Sequence, residues 1–319
     1  MRVGFVGAGG IARRHLGVLQ QMDDVEVVAV TDADPARAGE FARDAGAALA
    51  TDVAALLRDE RPDALFICVP PFAHGQAERA AVDAGVPFFV EKPVALAIDD
   101  AVAVADAADG LVTGVGYHWR YLDGLDRVRE VTASRPPRLA AGFWLGDTPP
   151  VGWWVRQAQS GGQFVEQLTH VVDLARYLIG ETQTVFGLTE TTHRPGFEGL
   201  DVATSSTATV SFDGGCVGSF SCTCLLGWTH RVELQLFGDG YAIEVTDHDV
   251  MVDVGAGRPR FGNDRDPVHT QDRTFLDAAA GGDAQVRCTY RDAVETLRVT
   301  LAVAASASTG RAVELGVGR

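Results

Sequence analysis

Short apolar runs alternate with amphipathic segments through residues 2–115 of the chain. Each run has the length of a strand, and in each following segment the apolar residues recur every three or four positions, as on one face of a helix. The predicted strands are residues 2–6, 25–30, 64–69, 86–90 and 111–115. The predicted helices are residues 11–21, 53–58, 74–84 and 98–108. Repeated strand–helix units predict a parallel sheet with helices on both faces, which binds ligands at the carboxyl ends of its strands.

A different pattern begins after Tyr121. A strand is expected near residues 139–144, and between Thr184 and Val254 apolar and polar positions alternate in six segments that no helix separates. This alternation predicts a large, mainly antiparallel sheet with one open face, which is a candidate oligomer interface. Through this face we expect a homodimer or homotetramer. Helices are predicted at residues 122–132, 270–280 and 290–308.

A glycine-rich turn follows the first strand directly. Residues Gly7, Ala8, Gly9, Gly10, Ile11 and Ala12 form the pattern G-x-G-x-x-A at the start of the first helix. Gly7 allows the tight turn, Gly9 lets a pyrophosphate approach the backbone, and Ala12 lets the helix pack on the strand. The free N–H groups at the helix start favour phosphate. These features predict a dinucleotide-binding Rossmann domain; the alternative is a glycine-rich turn without a ligand.

The second strand ends at Asp32, which lies 20 residues after Ala12. A carboxylate there accepts hydrogen bonds from the adenosine ribose and repels a 2′-phosphate, so NAD is the expected cofactor. Arg37 leaves NADP open because its guanidinium could reach a 2′-phosphate; otherwise it is a solvated arginine in the next helix. Further cofactor contacts are expected after the later strands, from Pro70, His74, Glu91 and Lys92.

The chain is therefore predicted to be α/β, with two domains. Residues 1–118 form a doubly wound Rossmann domain, and residues 119–319 form a substrate-binding and oligomerisation α/β domain with the large open sheet. A length of 319 residues fits two cores. The net charge of −16 disfavours nucleic acid as a partner. No apolar run is long enough for a membrane span, no leader is recognised at Met1, and five irregularly spaced cysteines suggest no disulfide framework, so a cytoplasmic location is expected.

Lys92 is the single lysine, whereas the other 26 of the 27 basic residues are arginine. Arginine stays protonated at any working pH, but a lysine can give up a proton. A lone lysine at the end of a strand thus indicates a position where arginine would not serve. The alternative is a leftover surface charge.

A helix is predicted over Ser160–Gly180, with Gly180 as its end. Glu166, His170, Asp173 and Tyr177 share one face of it. Such polar stripes usually face water, but a histidine, whose pKa lies near neutrality, can move protons. Cys222 and Cys224 lack further ligands at suitable spacing, so they are interpreted as packing and no metal site is expected.

These motifs together resemble the glucose-fructose oxidoreductase/inositol dehydrogenase (Gfo/Idh/MocA) family, essentially from end to end. The resemblance is carried by the opening glycine motif, Glu91-Lys92-Pro93, Gly116-Tyr-His-Trp-Arg120 and the helix containing His170-Val-Val-Asp173. It implies a cleft where Lys92 and the His170 helix meet the nicotinamide. The implied activity is NAD(P)-dependent hydride transfer between the nicotinamide and a secondary alcohol or ketone of a sugar, cyclitol or related polyol.

The resemblance also implies residue roles. His170 matches the acid/base histidine, and Lys92 matches the lysine that binds the reacting hydroxyl and assists proton transfer. Glu166 stands where many inositol-type members have Asp, four residues before the histidine, and its carboxylate would orient the imidazole and stabilise its charge. Asp173 would bind substrate hydroxyls, as would Lys92 and His170. The residues expected to shape the substrate site are Tyr117, His118, Arg120 and Trp153.

Three alternatives concern function and the Trp153-Trp154 pair. The enzyme could be a glycosidase or lyase that uses tightly bound NAD for transient oxidation, which would give no net change in added cofactor. The protein could instead be a non-catalytic NAD-binding sensor, although a sensor needs neither Lys92 nor His170. The tryptophan pair is either a lid that stacks on a sugar or an aromatic pair packed at the domain junction.

Overall fold

The computed structural model describes residues 1–316, which form two compact units. The first unit combines Met1–Tyr121 with Arg265–Val294, and the second combines Leu122–Asp264 with the chain from Glu295 onward. Each unit is therefore built from two segments, whereas the predicted domains, 1–118 and 119–319, each use one. The functions assigned to those two domains stay a prediction. No helix within the described residues is long and apolar enough to cross a membrane.

The first unit contains a six-stranded sheet in the order β3-β2-β1-β4-β5-β6. Its strands are β1 (Arg2–Val6), β2 (Glu26–Thr31), β3 (Ala48–Leu49), β4 (Ala64–Ile67), β5 (Phe88–Val90) and β6 (Thr113–Val115). Every strand pair is parallel, as predicted. The chain runs outward from β1 to β3 and then returns to β4 beside β1, and ligands bind where the strand order reverses in this way.

Helices connect these strands. They are α1 (Gly10–Leu19), α2 (Pro35–Ala45), α3 (Val53–Ala55), α4 (Gln76–Ala84) and α5 (Ile98–Ala107). The start of α2 is fixed by the Asp34 side chain, which accepts hydrogen bonds from the N–H groups of Ala36 and Arg37. Gly46 and Gly85 end α2 and α4 in the left-handed conformation that glycine favours. The segment Leu56–Glu60, predicted as the end of an α-helix, is a π-helical turn.

The second unit contains a nine-stranded sheet, in the order β14-β13-β12-β11-β7-β10-β9-β8-β15. Its first elements are α6 (Leu125–Thr132), β7 (Leu139–Leu145), α7 (Gln157–Ser160), α8 (Gln163–Glu166) and α9 (Thr169–Ile179). The following strands are β8 (Thr182–Glu190), β9 (Ser205–Phe212), β10 (Val217–Thr223), β11 (Arg231–Gly238), β12 (Tyr241–Thr246), β13 (Asp249–Asp253) and β14 (Arg260–Gly262). The last described elements are α10 (Pro267–Ala279), which belongs to the first unit, α11 (Tyr290–Thr309), which begins in the first unit and continues in the second, and β15 (Val313–Glu314).

This second sheet is mainly antiparallel, as predicted, but β7 and β10 pair in parallel at its centre. One face is covered: Gly142 of β7 lies so close to Phe220 and Val171 that an added Cβ would approach them to 2.3 and 2.8 Å. The other face carries small polar residues such as Ser219 and Ser221, with half-exposed apolar side chains at Leu139 and Val217. Its role as an oligomer interface stays a prediction.

The predicted continuous helix over Ser160–Gly180 is wrong in two respects. Ser160 is the last residue of α7, and Gly161 and Gly162, with φ +75° and +84°, separate it from α8. A second interruption lies between Glu166, where α8 ends, and Thr169, where α9 begins. A wide turn separates the two helices, in which the Leu168 N–H donates to the carbonyl of Gln163 five residues earlier. The Gln163 side chain also donates to the carbonyl of Trp144 on β7 at 3.4 Å, so α8 is held against the carboxyl end of this central strand.

Candidate active site

The glycine-rich turn has the shape that a dinucleotide needs. Gly7 has φ +94°, and a Cβ there would lie 2.2 Å from the carbonyl oxygen of Cys68, so only glycine fits. An added Cβ at Gly9 or Gly10 would meet no atom within 4 Å, which leaves the start of α1 open to a ligand. No side chain caps this helix start. Its N–H groups are therefore available to a phosphate.

Two other residues of this turn are structural. Ala8 and Ala12 are fully buried and pack in the core between α1 and the sheet. Ile11 is partly buried against the same core. The residues around Gly9 therefore fit the pyrophosphate of a dinucleotide, because the buried positions are small and apolar while the open positions have no side chain.

Asp32 follows β2 and ties the glycine-rich turn to that strand. Its Oδ2 accepts the N–H of Ala8 at 2.7 Å, and its Oδ1 accepts the N–H of Asp34 at 2.8 Å. The guanidinium of Arg37 lies 3.3 Å from Oδ1 and is half-exposed. A carboxylate can accept about four hydrogen bonds, so Asp32 retains acceptor capacity for ribose hydroxyls. Arg37 is an ion-pair partner of Asp32, and its contact with a 2′-phosphate stays a prediction.

The loop after β4 holds Pro70 and His74. Pro70 is partly exposed, whereas the side chain of His74 is buried and its Nδ1 lies 2.6 Å from Glu78 Oε1. Glu78 is itself fixed by the N–H of Gly75 at 2.6 Å. Within residues 1–316, His74 Nε2 is buried without a hydrogen-bond partner. A buried nitrogen without a hydrogen-bond partner indicates that a ligand contacts it, which fits the predicted cofactor role of His74.

Lys92 comes two residues after β5, beside Glu91. Lys92 is partly exposed, and its backbone N–H lies 3.3 Å from the buried Glu91 Oε2. Each predicted site residue of the first unit follows the carboxyl end of a strand, and these strands (β1, β2, β4, β5 and β6) are parallel neighbours in the sheet. The first unit thus places Lys92 on the same rim of the sheet as the glycine-rich turn.

The segment after β6 contains Tyr117, His118 and Arg120. Tyr117 is buried, and burial together with the positive charge of Arg14 lowers the pKa of His118 to about 4. His118 is therefore a neutral imidazole at neutral pH. Arg120 is buried and donates to the carbonyl of Arg287 at 2.5 Å and to the carboxylate of Asp292. These contacts hold Arg120 within the first unit, and its contact with substrate stays a prediction.

Sequence reasoning missed two charged residues behind this rim. His15 of α1 and Asp272 of α10 are both fully buried, and His15 contacts Asp272 and Glu91. The position of His15 offered an indication, because it lies three residues after Ala12 and four before Leu19 on the buried face of α1. A histidine on an apolar helix face needs buried partners, which the sequence does not identify.

The second unit holds the other predicted catalytic residues. His170 is buried on α9, and its ring stacks against Trp144 with centroids 6.0 Å apart and planes at 22°. Asp173 is fully buried, and its Oδ1 accepts the hydroxyl of Thr296 at 2.8 Å. The polar stripe of this helix is therefore buried at His170 and Asp173, so its water-facing interpretation is wrong there.

Glu166 is oriented by a tryptophan. The indole N–H of Trp154 donates to Glu166 Oε2 at 2.8 Å, and Trp154 is buried in a small cluster with Val155, Val202 and Cys224. Trp153 packs against the same cluster and is partly exposed. Packing explains the buried Trp154 and Cys224, while the partly exposed Trp153 can still contact a ligand.

Two family models match the chain. Residues 1–116 match the oxidoreductase family with an NAD-binding Rossmann fold, and residues 127–244 match the GFO/IDH/MocA C-terminal domain. The fold is shared with a levoglucosan dehydrogenase in complex with NADH, at a TM-score of 0.89 and 20% identity over 99% of each chain. The predicted α/β fold and the predicted resemblance are thereby confirmed.

Curated relatives match over nearly the whole length. The 1,5-anhydro-D-fructose reductase of Ensifer adhaerens is 25% identical over 332 residues, which cover 99% of this chain and 99% of that protein. The myo-inositol dehydrogenase Hyg17 of Streptomyces leeuwenhoekii is 30% identical over 324 residues, which cover 97% of this chain and 98% of that protein. The chain therefore belongs to the GFO/IDH/MocA family and is an NAD-binding oxidoreductase.

Proposed function

We propose that this oxidoreductase transfers a hydride between NAD and a carbinol carbon of a cyclitol, a sugar or a related polyol. The observation that carries the proposal is the rim of the parallel sheet, where the open start of α1 and the single lysine both follow strand carboxyl ends. The names of two relatives, an inositol dehydrogenase and an anhydrofructose reductase, support a polyhydroxylated substrate.

The chemistry requires that a hydroxyl proton leave as hydride leaves the same carbon. The nicotinamide, when bound, supplies the hydride acceptor. We assign Lys92 to the reacting hydroxyl: its amine binds the hydroxyl oxygen and assists the transfer of the hydroxyl proton. We assign His170 to the proton: its imidazole accepts the hydroxyl proton during oxidation and returns it during reduction, since a base with a pKa near the working pH does this well.

Other residues support these two. Glu166, held by the indole of Trp154, would orient the imidazole of His170. Asp173 would bind further substrate hydroxyls. Contacts beside the nicotinamide are assigned to Tyr117, His118, Arg120 and Trp153. A neutral His118 suits this role because an uncharged imidazole offers one donor and one acceptor to a substrate hydroxyl.

The function is tested by following NADH absorbance with the purified protein. NAD and NADP are supplied separately with inositols, hexoses and their oxidised forms. We expect reduction of NAD by at least one polyol, and weaker use of NADP. Consumption of a glycoside without net NADH would instead support transient oxidation by bound cofactor. NADH binding without turnover of any polyol or glycoside would support a sensor.

We also propose that the chain forms a homodimer or homotetramer through the open face of its nine-stranded sheet. Leu139 and Val217 support this, because they pair across β7 and β10 and are about half-exposed, at 47% and 54%. Sedimentation velocity of Val217→Glu tests it. We expect a smaller species than for the wild type, whereas Leu49→Glu, at an equally exposed position of the first unit, should sediment as wild type.

A cytoplasmic location is proposed from the cysteines. All five are free and buried, which suits a reducing compartment. Thiol titration of the denatured protein, prepared without reductant, should count five thiols; a lower count would contradict the proposal.

A further inference from the structure

Three charged side chains form a buried row behind Lys92. His15 Nδ1 lies 2.7 Å from Asp272 Oδ2, and His15 Nε2 lies 3.1 Å from Glu91 Oε1. His15 and Asp272 are fully buried, and Glu91 is 7% exposed. The rings of Phe66 and Phe89 pack on the imidazole at 5.4 and 5.2 Å. All these residues lie in the first unit, so one core encloses the whole row.

The geometry fixes the charge of this row. Each ring nitrogen of His15 faces a carboxylate oxygen, and only the imidazolium form can donate from both nitrogens. Burial lowers the pKa of His15, but the charges and hydrogen bonds of Asp272 and Glu91 outweigh burial and raise the pKa to about 10. Burial raises the pKa of Glu91, yet the hydrogen bond and charge of His15 bring it below its ordinary value. The imidazolium therefore holds Glu91 as a carboxylate.

The held carboxylate meets the backbone of Lys92. Glu91 Oε1 takes the His15 contact, and Oε2 faces the N–H of Lys92 at 3.3 Å. The carboxylate also lies against Gly116, where an added Cβ would approach Oε1 to 2.3 Å. The Glu91 side chain is thus confined by both His15 and the Gly116 backbone. Any displacement of Glu91 changes the environment of the Lys92 amide.

We propose that His15 and Asp272 are positioning residues for Lys92. They hold the Glu91 carboxylate against the Lys92 amide and so fix the backbone from which the Lys92 side chain extends. Because His15 lies on α1, the row also joins Lys92 to the helix whose start carries Gly9. This inference rests on the proposed role of Lys92 in the reaction, but the position of the Lys92 backbone can be measured without substrate.

The single lysine makes the measurement selective. Protein labelled with nitrogen-15 lysine has one labelled backbone amide, that of Lys92. We compare wild type with His15→Gln, with the milder Asp272→Asn, and with Phe41→Leu. Phe41 is a fully buried residue of the same core that contacts Phe5 and serves as the control for a general loss of packing.

We expect the Lys92 amide signal to shift strongly in His15→Gln, less in Asp272→Asn, and not in Phe41→Leu. With an active polyol, kcat should fall about tenfold or more in His15→Gln and be partly retained in Asp272→Asn. The Kd for NADH and the KM for the polyol should change less than about threefold. A Lys92 signal that stays at its wild-type position in both variants overturns the proposal, as does an unchanged kcat.

Failure of the proposed function has a different outcome. If the wild type oxidises no polyol, the proposed substrate class is wrong, while the Lys92 amide signal still decides whether His15 and Asp272 fix that residue. If His15→Gln does not fold, the comparison of Asp272→Asn with Phe41→Leu decides the same question.

Discussion

Replacing Gly9 by alanine should weaken cofactor binding while leaving the fold almost intact. Gly9 has φ −74° and ψ −171°, which alanine adopts without strain, and its added Cβ would meet no protein atom within 4 Å. The cost to folding is thus limited to the poorer helix start, about 1 kcal/mol or less. If the open space is where the pyrophosphate approaches, the methyl group occupies that approach. A loss of about 10- to 100-fold in affinity, or roughly 1.4–2.7 kcal/mol, is then expected.

The assay is a fluorescence titration of NADH, with thermal unfolding measured on the same samples. Gly17→Ala is the matched control, because Gly17 lies exposed in the same helix with open space around its Cα. It should bind NADH as the wild type does and be more stable by about 0.5–1 kcal/mol. Wild-type NADH affinity in Gly9→Ala would refute the placement of the pyrophosphate at this turn.

Three further predictions concern the same unit. Gly116→Ala should lower the free energy of unfolding by about 2–4 kcal/mol in urea titrations, because its Cβ would lie 2.3 Å from Glu91 Oε1 and must displace that carboxylate from His15. The free energy of unfolding should fall by several kcal/mol between pH 6.5 and 10, because the pKa of His15 is raised to about 10 in the folded protein. The contribution of His15 to this free energy is complete below pH 6.5 and is lost as the pH rises through 10. A fall of equal size in His15→Gln would contradict this. Asp32→Ala should weaken NAD binding and reduce the preference of the protein for NAD over NADP, measured as the ratio of the two Kd values. An unchanged ratio would show that Asp32 does not determine cofactor preference.

The sequence was sufficient for most strands of the two sheets because their patterns are local, whereas β3, β14 and β15, of two or three residues each, are too short to show a pattern. The glycine motif and short apolar runs predicted the parallel sheet, and period-two alternation predicted the second sheet. The parallel pairing of β7 with β10 could not be predicted, because alternation shows which face of a strand is buried but not which strand lies beside it. Likewise, the amphipathic pattern of α10 does not show that this helix packs in the first unit.

The candidate site was also predictable only in part. Lys92 and Asp32 were predictable because each follows an apolar run, and the carboxyl ends of parallel strands meet at one edge. The row of His15, Glu91 and Asp272 was not, because its members are separated by 76 and more residues and are brought together only by packing. The interruption between α8 and α9 was also missed, because the spacing of Glu166 and His170 in the sequence continues across it as in an unbroken helix.

In the proposed function, the single lysine serves the reaction rather than the fold. Lys92→Met removes the amine, and Lys92→Arg keeps a positive charge that cannot give up a proton. The decisive measurement is kcat for oxidation of a polyol that the wild type accepts, together with the Kd for NADH. We expect both variants to lose about 100-fold or more in kcat while their Kd for NADH stays within about threefold of wild type. Full turnover by Lys92→Met would contradict this role of the lysine.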